Sequence, residues 1–212
     1  ERTWQALYQQ SPMADSGGVF DGARFDQLYT DDPMDLARRL PEVLISADLT
    51  FKDTSRSDYV SILVFGRDGP RKYLLDRVHA RMDYPTCRRA FRSVCDRFPM
   101  AGVKLIEDKA NGPALIADLR REITGLVAFE PGAKSKVERA QVGSLPAFAA
   151  GDIWLPANAP WLSAYIAEHQ AFPRGAHDDD VDATSQACLW WLRHSAGVGY
   201  TIANPWEESE DD

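Results

Sequence analysis

Val43-Leu44-Ile45-Ser46-Ala47-Asp48, Asp58-Tyr59-Val60-Ser61-Ile62-Leu63-Val64-Phe65 and Lys72-Tyr73-Leu74-Leu75-Asp76-Arg77-Val78 follow one another closely, and their reading decides the fold. The middle run is almost continuously apolar, the pattern of a strand covered on both faces. Gly66-Arg67-Asp68-Gly69-Pro70 between the second and third runs is a turn, so the three runs are expected to form a meander.

Outward from this meander, Pro85 is placed to open a helix, with Cys87, Phe91, Val94 and Phe98 at helical spacing. The short run Val103-Lys104-Leu105-Ile106 reads as a fourth strand. Asn111-Gly112-Pro113 then starts a second helix with Leu115, Ile116 and Leu119 on one side, and Gly125-Leu126-Val127-Ala128-Phe129 reads as a fifth strand. Helical segments are expected around 136–149, 161–169 and 179–194. The class is therefore α/β, a mixed sheet of five or more strands flanked by helices. Residues 1–35 read as an interdomain linker or extension, 36–204 as the domain, and 205–212 as an acidic, disordered tail.

At 212 residues the chain is long enough to bury one sizeable core, and its 44% hydrophobic content is that of an ordinary globular domain. There is no apolar run of the roughly 18 residues a membrane span needs, and no basic-then-apolar leader, so a soluble intracellular protein is expected. Cys87, Cys95 and Cys188 form no CxxC pair, which excludes a zinc knuckle or a disulfide framework and fits structural thiols in a reducing compartment. A net charge of -8 argues against a nucleic-acid partner until its distribution is considered. Much of the excess lies in the tail and at a few acid positions, and local field outweighs the total.

Those acid positions share a setting. Asp48 ends the first strand, Glu107 and Asp108 end the fourth, and Asp178, Asp179, Asp180 and Asp182 crowd the start of the last helix in His177-Asp178-Asp179-Asp180-Val181-Asp182-Ala183. Singly, each has a plain structural use: Asp48 at a strand end or turn, Glu107 and Asp108 as dipole-complementing acids before a helix, the aspartate run as an N-cap. One cap needs one acid, however, and several buried like charges require cations to neutralise them. Hard divalent ions such as Mg²⁺ or Mn²⁺ take oxygen ligands of this kind. In a two-ion centre Asp48 is placed to bridge both, Glu107 to hold one and Asp179 or a neighbour in the first turn of the last helix to hold the other. His177 can orient a ligand or shuttle protons, or be a surface histidine, and Lys109 can approach phosphate or be solvated. Lys134, Lys136 and Arg139 lie on a segment that can face a DNA backbone, as can Arg88, Arg89 and Arg92.

At these residues the chain resembles the C-terminal nuclease domain of the large terminase subunit of tailed bacteriophages. Trp4 to Pro12 is similar to the joint after the motor domain, Ser46-Ala47-Asp48 to the first nuclease motif, Ile106 to Gly112 to the second, Lys134 to Ala140 to a lysine-to-arginine element, and His177 to Ala183 to the HDDxxDA third motif. The resemblance covers nearly the whole chain. It implies an RNase H-like fold and Mg²⁺- or Mn²⁺-dependent endonucleolytic cutting of concatemeric double-stranded viral DNA during genome packaging. The metal-binding acids it implies are Asp48, Glu107 and Asp179, with Asp178, Asp108 and Asp182 as neighbours, and the register is open by one position at Glu107 and across the aspartate run.

The implied setting is the host cytoplasm rather than the mature virion, with an N-terminal ATPase domain, a small terminase subunit and a portal as partners. No G-x-x-x-x-G-K-[ST] loop is present, so these residues are expected to cut but not to translocate DNA. Two other readings keep the same acids: an RNase H-like integrase or junction resolvase, and a DNA-gripping module that does not cleave.

Overall fold

The computed structural model describes residues 18–49, 58–108 and 112–194. The joint at Trp4 to Pro12, Lys109 and the tail from 205 to 212 lie outside the described residues. In chain order the elements are β1 (Leu28–Tyr29), α1 (Pro33–Arg39), β2 (Glu42–Asp48), β3 (Asp58–Asp68), β4 (Arg71–Met82), α2 (Tyr84–Arg97), β5 (Val103–Glu107), α3 (Gly112–Leu119), β6 (Leu126–Phe129), α4 (Lys136–Val142), α5 (Ser144–Ala150), β7 (Ile153–Pro156), α6 (Leu162–Ala171) and α7 (Asp179–His194).

The three opening runs form the expected meander, with β2 antiparallel to β3 and β3 antiparallel to β4. β5 then joins β2 in parallel and β6 joins β5 in parallel. A parallel neighbour requires a crossover, which α2 and α3 supply. The result is one seven-stranded mixed sheet in the order β1-β7-β4-β3-β2-β5-β6. β2 is thus an interior strand, between β3 and β5.

Alternation along the strands divides the core between two faces. Ile45, Ala47, Ile62, Val64 and Ile106 pack against Cys87, Phe91 and Val94 of α2 and Leu115 and Leu119 of α3. Leu44, Leu63, Phe65 and Leu105 pack against Val181, Ala183, Ala187 and Cys188 of α7, together with Phe148 of α5 and Tyr165 of α6. Each fully buried Val, Leu, Ile or Phe side chain among them contributes about 1.5–3 kcal/mol. The three cysteines are buried free thiols, and burial pushes Cys87 up to about 12 and Cys188 up to about 11. Among the described residues, no helix is long and apolar enough to cross a membrane.

Three features depart from the expected element list. The helix expected over 136–149 is two helices broken at Gly143, where an added Cβ would stand 2.9 Å from Leu189 Cγ and 3.0 Å from Ser185 O. The break lets α4 and α5 press their backbone onto α7. β7 and the short β1 extend the sheet beyond β4, with Tyr29 Oη donating to Leu74 O at 2.7 Å. α1 is set by Asp32, whose side chain accepts from Met34 N and Asp35 N, and by Pro33 in its first turn.

Candidate metal centre

A row of polar side chains crosses the sheet where the first turn of α7 lies over it. Register pairs Ala47 with Ile106, Asp48 with Ser61, and Ser61 with His79. Glu107, Asp48, Ser61 and His79 are therefore lateral neighbours on four adjacent strands and share one face. That face is the one toward α7: Ser46 Oγ, two residues before Asp48, donates to Ala183 O at 2.6 Å and accepts from Gln186 Nε2 at 3.1 Å. Asp48 is 3% exposed. A carboxylate this far from water requires a charge partner of some kind.

Above the row, the aspartates of α7 fan out because successive helical residues turn by about 100°. Asp180 points inward and is fully buried: Oδ1 accepts from Ser61 Oγ at 2.7 Å and Oδ2 from Arg77 Nε at 2.7 Å. Asp179 Oδ2 lies 3.5 Å from His79 Nε2. It begins the helical line that continues through Ala183 and Gln186, which bond to Ser46 and Ala47 of β2. Asp178 and Asp182, one turn apart, face α4. There Lys136 Nζ stands 2.8 Å from Asp178 Oδ1 and 2.6 Å from Asp182 Oδ2, and Arg139 Nη2 lies 2.9 Å from Asp182 Oδ1 and 3.8 Å from Glu107 Oε1.

Charge balance follows this geometry. Burial raises the Asp182 carboxyl above its ordinary value, more than Lys136 and Arg139 lower it. Burial also opposes the charged form of Lys136, but the Asp182 and Asp178 charges outweigh it and raise the ammonium. The two directions agree once exposure is compared: the Asp182 side chain is 3% exposed and that of Lys136 is 47%. For Asp179, burial alone would raise the carboxyl, and the hydrogen bond and charge of His79 with help from Lys136 bring it below the usual range. For His79, burial lowers and Asp179 and Asp180 raise, with a net rise. Arg77 Nη2 approaches His79 Nδ1 at 2.6 Å, and a donor there favours the tautomer with its proton on Nε2, facing Asp179.

Glu168, from α6, closes this side. Its Oε1 accepts from Asp180 N at 2.7 Å, and burial followed by the Asp180 charge raises its carboxyl to about 7. His79, Glu168 and Asp180 each offer a ligand atom within 4.8 Å of the others. Because both oxygens of Asp180 are already taken by Ser61 and Arg77, we assign Asp180 to the internal network rather than to an ion.

Of the residues singled out in the sequence, Asp178 and Asp182 meet at Lys136, Asp182 and Glu107 meet at Arg139, Asp48 is the lateral neighbour of Glu107 on the sheet, and Asp179 faces His79. Asp108 is exposed at the strand end, its N–H bonded to Phe129 O at 2.8 Å. His177 packs at a tilt of 49° against Tyr59 with ring centroids 4.0 Å apart, and Lys134 offers its carbonyl to Arg139 Nη1 at 3.3 Å. Lys136 and Arg139 turn toward the acids. Arg88 and Arg92 pair with Glu122. Sequence reading missed Arg77, His79, Ser61 and Glu168; the one signal was Arg77-Val78-His79, two basic groups on one face of a strand.

The fold has relatives of known structure. The nuclease domain of the Thermus phage P74-26 large terminase superposes with a TM-score of 0.59 at 15% identity, over 88% of this chain and 100% of that one. The large terminase nuclease of thermophilic phage G20c with bound magnesium gives a TM-score of 0.60 at 15% identity, over 83% and 98%. The large terminase of another thermophilic bacteriophage gives 0.62 at 11% identity, over 83% of this chain but 45% of that one. The chain thus spans about 45% of that longer terminase. At such identities the likeness is one of fold. No curated protein sequence matches the chain. Residues 45–189, most of the chain, match the family described as Terminase RNaseH-like domain, and the chain belongs to that family.

Proposed function

We propose that this chain is a divalent-metal-dependent endonuclease that cuts concatemeric double-stranded viral DNA during genome packaging, with two Mg²⁺ or Mn²⁺ ions held by Asp48, Glu107 and Asp179 and with Asp178 and Asp182 as flanking donors. The observation that carries the reading is the placement of Asp48 and Glu107 on neighbouring parallel strands beneath the first turn of α7. The donor set fits such ions: the oxygens are hard, and the buried Asp48 and Asp182 carboxylates lie on the same face of the sheet as Glu107. When bound, the ions supply an activated water and neutralise charge on the leaving oxygen.

The chain's own groups do the rest. Asp48, buried on β2, would hold the ions together with Glu107 from the β5 side and Asp179 from the β4 side. His79 orients Asp179 through Nε2–H, and Arg77 orients His79. Arg139 separates Glu107 from Asp182, which limits repulsion between them. Lys134 and the exposed stem of Lys136 rim the centre where a DNA backbone would pass. The bound magnesium in the G20c nuclease supports the cofactor, and the longer phage terminase, solved in complex with ADP, supports an ATPase part in the full protein. The small subunit and portal are the further partners of this reading, and the host cytoplasm is its setting.

Plasmid nicking in Mn²⁺ tests it. Wild type is expected to nick and Asp48→Ala to lose roughly a thousandfold or more in rate. Equal cutting by the two proteins would sink the proposal.

A further inference from the structure

Two carboxylate oxygens, from residues one helical turn apart, converge on the Lys136 ammonium: Asp178 Oδ1 at 2.8 Å and Asp182 Oδ2 at 2.6 Å. A hard divalent ion takes the same pair of donors. Asp182 is 4% exposed, and among the described residues the Lys136 ammonium at 2.6 Å is the one donor that reaches its Oδ2. That buried oxygen therefore depends on a single cation, which a divalent ion can replace.

The two cations of α4 differ in how firmly they are held. Arg139 is 7% exposed at its side chain, donates to Asp182 Oδ1 at 2.9 Å and to Lys134 O at 3.3 Å, and has no room to leave. Lys136 is 47% exposed at its side chain. A strongly hydrated ammonium on a flexible four-carbon stem can swing into water at little cost.

We infer that Lys136 is a displaceable internal counter-ion: its ammonium holds the Asp178–Asp182 pair in competition with a divalent cation, and ion loading on this flank proceeds by moving the lysine out. The inference rests on the proposed metal centre. An ammonium and a divalent ion a few ångströms apart repel strongly at the low effective dielectric of a half-buried site, so both cannot occupy the pair together. The rise of the Lys136 ammonium caused by Asp182 and Asp178 is consistent with its standing in for a cation.

Mn²⁺ titration calorimetry and Mn²⁺-dependent melting, on wild type, Lys136→Met, Lys136→Arg and Asp182→Asn, test the inference without reference to cleavage. Lys136→Met keeps the stem and removes the charge, and should bind Mn²⁺ about tenfold more tightly. It should also melt lower without metal and recover more on adding it. Lys136→Arg, still a competitor, should stay within about threefold of wild type, and Asp182→Asn should bind more weakly. Equal or weaker Mn²⁺ binding by Lys136→Met, with Asp182→Asn still impaired, overturns the counter-ion and leaves the metal centre standing. Absence of Mn²⁺ binding in wild type and Lys136→Met alike overturns both.

Discussion

On the β4 side of the acid row, Asp180 has no exposed surface and both its oxygens are taken by Ser61 and an Arg77 side chain 8% exposed; on the β5 side, Asp178 and Lys136 are 37% and 47% exposed. Both sides neutralise aspartates from the same helical turn with cations from a neighbouring element. The closed side uses a planar guanidinium with several fixed donors, and the open side uses a point charge on a flexible stem. A pair sealed from water stabilises by never separating, since either partner alone would be a bare buried charge. A pair at the surface can exchange its cation. The first arrangement suits holding α7 on the sheet, the second suits admitting an ion.

The comparison breaks first at Arg77. Arg77→Met leaves Asp180 charged and without its cation in the core, a loss of about 3–5 kcal/mol in urea unfolding. Lys136→Met, on the open side, should cost on the order of 1 kcal/mol because Arg139 still faces Asp182. The double variant Arg77→Met/Asp180→Asn should regain most of the loss, since the amide keeps a partner in Ser61 and carries no charge. Equal losses for the two single variants would erase the distinction between the sides.

The closed side also holds a second buried group, with a pH signature. His169 follows Glu168 on α6, and its Nδ1 lies 2.9 Å from Tyr165 O, so Nδ1 carries the proton and Nε2 does not. Burial among Phe20, Phe148 and Tyr165 lowers its pKa to about 4. The sign follows from proton counting: between its unfolded value near 6.5 and about 4 the unfolded chain binds a proton that the folded chain does not. Stability is therefore lost as pH falls through that window, by about 3 kcal/mol in all. Glu168, raised to about 7, titrates with the opposite sign, because its folded form holds a proton that the unfolded chain has released. The readout is accordingly the difference between wild type and His169→Phe, measured at about pH 7.5 and about pH 4.5, either side of most of that window. The gap should move in favour of the variant at the lower pH; a constant gap would mean that His169 accepts a proton where it sits.

Much of this was legible in the residues. The meander was, because strands covered on both faces leave apolar runs, and α7 was, because four acids in five positions exceed what a helix cap needs. β1 was not: two residues carry no period. The break at Gly143 was not, because its cause is the approach of Leu189 and Ser185, some forty residues along the chain. At the centre, Asp48 and Glu107 were visible as the ends of apolar runs. His79 and Glu168 were hidden mid-element, where only the register of β3 with β4 and the packing of α6 bring them to the acids. Lys136 and Arg139 stood out as one helical face, but spacing along a helix does not say whether that face meets solvent or protein.

The smallest effect sharpens the open side. α4 begins with a capping box: Ser135 Oγ accepts from Glu138 N at 3.2 Å, and Glu138 Oε2 accepts from Ser135 N at 2.7 Å. Ser135→Ala should cost about 1 kcal/mol. The loss falls on the first turn, which carries Lys136; Arg139, a turn later, is held by Asp182. Fraying therefore loosens the lysine before the arginine, and a competitor that has lost part of its grip gives way more easily. Mn²⁺ affinity should rise about two- to threefold in Ser135→Ala, the size expected if a fraction of that ~1 kcal/mol passes into the competition. A melting temperature that falls with Mn²⁺ affinity unchanged would show that the grip of Lys136 on Asp178 and Asp182 does not depend on the helix that carries it.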